Sequence, residues 1–66
     1  MKPEEFIEKF GIEEAKDIIS DYNDFPDWGK PKYWDSDLEI WHEFNKTDDS
    51  DVNIKHLIRF IEKRNL

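Results

Sequence analysis

The sequence predicts a small α+β domain, mainly helical, with two N-terminal helices, a short central β-hairpin and a C-terminal helix. Three observations carry that expectation. Apolar residues recur at helical spacing up to Tyr22 and again from Ile54 to Ile61, a Pro- and Gly-containing stretch follows the first of these runs, and residues between Tyr33 and Phe44 alternate as paired strands do. A length of 66 residues allows a single domain, 1–66, because a chain this short buries only roughly 60% of its unfolded surface.

Pro3 suits an initial helical position, and Glu4 and Glu5 follow in the first turn, where the helix dipole favours anions. Phe6, Ile7 and Phe10 share one face, and Gly11 supplies a left-handed stop. The second helix runs from Ile12 to Tyr22, with Ile12, Ala15, Ile18, Ile19 and Tyr22 on its apolar side. Because Gly11 alone separates the two, they form either a bent pair or one kinked helix. Asn23 to Pro31 is dense in turn formers and is expected to be an ordered loop pinned by Phe25 and Trp28.

From Lys32 to Phe44 two readings stand. Leu38, Ile40, His42 and Phe44 alternate as a half-buried strand would, with Tyr33-Trp34 paired to them across Asp35-Ser36-Asp37. Ser36-Asp37-Leu38-Glu39 also matches a capping box, which would open a helix at about 36–45 and make the fold all-α. The composition of Ile40-Trp41-His42-Glu43-Phe44 suits a pleated surface and favours the hairpin. Lys46 to Asp51 reads as a polar, acidic loop. In the last helix Ile54, Leu57, Ile58 and Ile61 form the apolar stripe, Asn53 caps the start, Val52 and Leu57 form a staple, and Lys63 and Arg64 complement the C-terminal dipole.

Charge is the most informative part of the composition. The net charge is −7, and it is unevenly placed: residues 1–51 carry sixteen acids against six lysines, whereas 52–66 carry Lys55, Arg59, Lys63 and Arg64 against Glu62 alone. An aromatic content of 15% argues for a folded chain despite the high charge. The absence of cysteine suits a reducing setting such as the cytoplasm, and no run of about 18 apolar residues predicts a membrane span.

The residues give little support to catalysis or metal binding. Asp49-Ser50-Asp51-Val52-Asn53 begins like a calcium loop, but Ile54 and Phe60 stand where the loop needs Gly and Glu; Asp35-Ser36-Asp37-Leu38-Glu39 fails likewise at Ile40 and Lys46. His42 reads as an amphipathic residue at the edge of the hairpin or helix, and His56 as a surface residue. No nucleophile elbow or phosphate loop is present, so the expectation is a non-enzymatic protein with no cofactor and no metal. Direct nucleic-acid binding is disfavoured by the overall field. The one basic face, Lys55, Arg59 and Lys63, is expected to pair with acids of the same molecule.

Glu13, Asp17 and Asp21 stand at i+4 steps on the second helix, which at the helical rise places successive carboxylates roughly 6 Å apart. With Asp24, Asp35 and Asp37 they form the candidate contact set, and Trp28 and Trp34 are candidate aromatic anchors. Such an array imitates a row of phosphates and fits the basic groove of a nucleic-acid-binding protein. The strings Phe6-Ile7-Glu8-Lys9-Phe10-Gly11-Ile12-Glu13-Glu14-Ala15-Lys16-Asp17-Ile18-Ile19 and Val52-Asn53-Ile54-Lys55-His56-Leu57 resemble small accessory proteins of bacteriophages. In size and acidity the chain is similar to phage-encoded anti-CRISPR and anti-restriction proteins, several of which imitate DNA. That resemblance implies an inhibitor of a host defence complex. A different expectation is a regulatory or adaptor module that binds a protein assembly through exposed aromatics, with acidity serving solubility.

Overall fold

The structure, a computed structural model, describes residues 1–43 and 50–66. It is α+β, in the order α1 (Pro3–Phe10), α2 (Ile12–Asp24), a 3-10 turn (Asp27–Gly29), β1 (Tyr33–Asp35), β2 (Ile40–His42), β3 (Asp51–Asn53) and α3 (Ile54–Arg64). The hairpin is therefore present, and the all-α alternative is excluded. Phe44, Lys46 and Asp49, on which part of the strand, loop and calcium-loop readings fall, lie outside the described residues.

Gly11 makes the corner between α1 and α2. Its φ of +89° lies on the positive side as expected, but ψ of 162° takes it out of the left-handed helical well into a region open essentially to glycine alone. Its amide still closes α1 on the Ile7 carbonyl at 2.8 Å, and its own carbonyl accepts the Ala15 amide at 3.3 Å. The helices are thus a bent pair with one shared cap. An added Cβ at Gly11 would meet no atom within 4 Å, so Gly11→Ala isolates the backbone cost. It is expected to destabilise the domain by about 1–3 kcal/mol, measured as a drop in urea midpoint; an unchanged midpoint would show that the corner relaxes freely.

The three strands form an antiparallel sheet in the order β2-β1-β3. β3 departs from the expectation of a loop at Asp51, because a three-residue strand is too short to show a period, while Val52 and Leu57, the expected staple pair, are buried in the same core cluster. In register, Trp34 faces Trp41 on one side and Val52 on the other. This row packs against the helices, where Phe6, Ala15, Ile18, Tyr22, Val52, Ile54, Leu57 and Ile61 are buried together. The expected strand face is accordingly reversed. Leu38 and Ile40 are exposed, while Trp41 turns inward. Glu39 adopts a left-handed φ of +55° in the turn before β2.

The last helix matches its expectation closely. The Asn53 side chain accepts the His56 amide at 3.2 Å, Ile54, Leu57 and Ile61 are buried, and Asn65 ends the helix in the left-handed conformation.

Candidate partner-binding surface and the buried polar cluster

Helix α2 runs to Asp24, two residues beyond its expected end, and this extension brings Asp24 onto the same stripe as Glu13, Asp17 and Asp21. All four side chains are exposed, on the side away from Ala15, Ile18 and Tyr22. The chain then turns at Pro26 into the Asp27–Gly29 turn, which holds Trp28 out at 91% exposure. Trp28 therefore does not pin the loop. Phe25 does, its ring meeting Trp41 edge-on at 5.8 Å and 74°.

Trp41 is the hub beneath the surface. Its ring lies 4.9 Å from Trp34 and 6.1 Å from Tyr22, centroid to centroid. Between it and the end of α2 is an open notch of about 330 Å³, lined by Asp21, Asp24, Phe25, Pro26 and Trp41. Lys30 stands close by: its Nζ donates to the carbonyls of Tyr22 at 3.1 Å and Phe25 at 3.0 Å and lies 4.7 Å from the Tyr22 ring centroid.

On the opposite face of the sheet the register gathers polar groups. Asp35 and Asp51 are cross-strand partners, and His42, paired with Tyr33, stands on the same face two register positions along. His42 reaches across the central strand β1, and its Nε2 lies 2.9 Å from Asp51 Oδ1, so that the carboxylate accepts and the ring nitrogen donates. Its ring stacks on Tyr33 at 5.9 Å and 18°. Asp35 Oδ1 accepts from the amides of Asp37 at 2.9 Å and Leu38 at 3.0 Å and from Ser50 Oγ at 3.1 Å. The same turn is fastened to residue 50 by Ser36, whose amide and Oγ both reach the Ser50 carbonyl at 2.9 Å.

No family model, curated protein or solved structure matches this chain. What the site can do therefore follows from its geometry.

Asp35, His42 and Asp51 place ligand atoms within 4.8 Å of one another and are the described residues best placed to hold a cation. The hydrogen-bonding pattern runs against it. Nε2 would have to give up its proton and pass it to Nδ1, and Nδ1 is buried with no hydrogen-bond partner among the described residues. A ligating imidazole normally donates from its second nitrogen to a carbonyl or carboxylate. With the proton on Nε2, Nδ1 keeps only a lone pair there, and the cluster acts as a tie between β2 and β3.

The candidate contact set divides on these observations. Glu13, Asp17, Asp21, Asp24 and Asp37 are exposed, and Trp28 is fully available. Asp35 is corrected: at 0% exposure its carboxylate cannot meet a partner, because it is folded inward to organise its own turn. Trp34 is half-buried against Trp41 and the core, which makes it a packing residue first. His42 stands on the edge strand β2, as expected, and its partly buried ring is a member of the tie. Trp41, Phe25 and Pro26 line the notch, and of these the sequence marks Phe25 only as a pin of the loop and none as a member of the contact set. The signal for them is the Phe-Pro pair directly after an acidic helix end.

Among the described residues Lys55, Arg59 and Lys63 form no ion pair. The expected internal pairing of the basic face is thus not made there. No described helix is long and apolar enough to cross a membrane.

Proposed function

We propose that this domain is a non-enzymatic binding protein, an inhibitor of phage or mobile-element type that acts in the host cytoplasm. It docks its acidic α2 face into the basic groove of a nucleic-acid-handling defence complex. One observation carries the reading: Glu13, Asp17, Asp21 and Asp24 are all exposed along a single stripe, on a helix anchored by the buried Ala15, Ile18 and Tyr22. Carboxylates fixed at such spacing present regular negative charge without the entropy cost of ordering a flexible acidic tail.

The test is capture of the partner on immobilised full-length protein from a bacterial lysate. A protein with a basic groove should be retained, released by duplex DNA, and lost with the triple change Glu13→Lys, Asp17→Lys and Asp21→Lys. Retention should fall steeply as salt rises. A partner held equally by the triple variant would refute the charge-based reading. The exposure of Trp28 favours a second reading, an adaptor that binds through aromatic contact. That reading requires retention indifferent to salt and abolished by Trp28→Ala.

A further inference from the structure

We propose that the notch at the C-terminal end of α2 is an arginine-binding site, which receives one arginine side chain projecting from the partner protein. The inference rests on the acidic-face reading above and names the contact at its centre.

The last turn of α2 is electrostatically inverted. A helix C-terminus carries the negative end of the backbone dipole and favours cations, yet this turn holds Asp21 and Asp24 and has no basic residue. The fold relieves part of the charge with Lys30, which serves the Tyr22 and Phe25 carbonyls and the Tyr22 ring. Among the described residues neither Asp21 nor Asp24 has an ion-pair partner. A negative helix end only partly offset by Lys30, beside a recess lined by Phe25 and Trp41, is an arrangement that a second, external cation completes.

Shape and chemistry select arginine. Phe25, Pro26 and Trp41 supply apolar and aromatic lining, and Asp21 and Asp24 line the same notch. A guanidinium is planar and weakly hydrated, stacks on rings and donates two parallel hydrogen bonds to a carboxylate; an ammonium is compact and strongly hydrated, and lacks the flat fork that such a site rewards. The notch volume of about 330 Å³ lies at the small end for ligand sites and suits one side chain rather than a length of backbone. Arginine is also the side chain through which nucleic-acid grooves contact phosphate bidentately.

The experiment uses the full chain, isotopically labelled, titrated at low ionic strength with capped hexa-arginine and with capped hexa-lysine. The indole N–H signals of Trp28, Trp34 and Trp41 are followed together with the Asp24 and Phe25 amides. Hexa-arginine should move the Trp41 indole and bind about fivefold or more tightly than hexa-lysine. Asp21→Asn combined with Asp24→Asn should abolish that preference while raising the thermal midpoint, because both changes remove like charge from the helix end. Equal affinities, or an unmoved Trp41 signal, would overturn the notch. If the two peptides bind alike along Glu13 and Asp17, the acidic-face reading survives without it; if neither peptide binds, both are overturned.

Discussion

Asp35→Ala is expected to cost about 3 kcal/mol and to leave a large unfolded fraction at physiological temperature. The side chain is fully buried, and one of its oxygens accepts from two amides and a hydroxyl. Alanine removes that acceptor and leaves the Asp37 and Leu38 amides and the Ser50 hydroxyl to find another. A donor buried without an acceptor costs roughly 1–3 kcal/mol. A domain of this length has only about 3–10 kcal/mol to lose, at the usual stability per residue. Asp35→Asn keeps the side-chain carbonyl that closes the turn and should lose only about 1 kcal/mol. Urea unfolding followed by circular dichroism decides the matter: a pair of variants equally stable to each other would mean that the turn is held by its backbone and not by the carboxylate.

Trp41→Ala should have an effect of similar size, about 2–4 kcal/mol. Its ring meets Tyr22 on α2, Phe25 in the loop and Trp34 on the neighbouring strand, so truncation opens a hole where three separate elements join. Trp28→Ala is the matched control. That ring is 91% exposed, and its loss should stay within about 0.5 kcal/mol. The contrast places the two indoles in different roles: one lines the notch and the other projects into solvent. Were both truncations equally mild in chemical denaturation, the aromatic hub would contribute no more than surface.

The last helix is legible in the sequence because its stripe of Ile54, Leu57, Ile58 and Ile61 spans two turns and its cap is a local contact of Asn53. Both N-terminal helices are legible for the same reason, although the turn-forming character of Asn23 and Asp24 hides the final half turn of α2. The sheet is harder to read. Three-residue strands show one alternation at most, so local pattern assigns Leu38 and Ile40 to the core, whereas the pairing of Trp34 with Trp41 decides which face turns inward. Charge alone places Asp35 on the surface. Its burial depends on Ser50, fifteen positions along the chain, and no local pattern announces a partner at that distance. The notch is hidden likewise, since Trp41 reaches Asp21 and Asp24 only through the tertiary fold.

The lack of ion pairs at Lys55, Arg59 and Lys63 among the described residues has a consequence for the way this molecule approaches a target. Helix α2 holds five carboxylates against Lys16, whereas α3 holds four cations against Glu62, and both helices pack into the same core. Opposite charges left unneutralised on neighbouring helices give the domain a permanent electric moment. A polycationic surface exerts a torque on such a body from beyond contact distance. The domain would then arrive already aligned, with orientation settled during diffusion and not by trial at the surface.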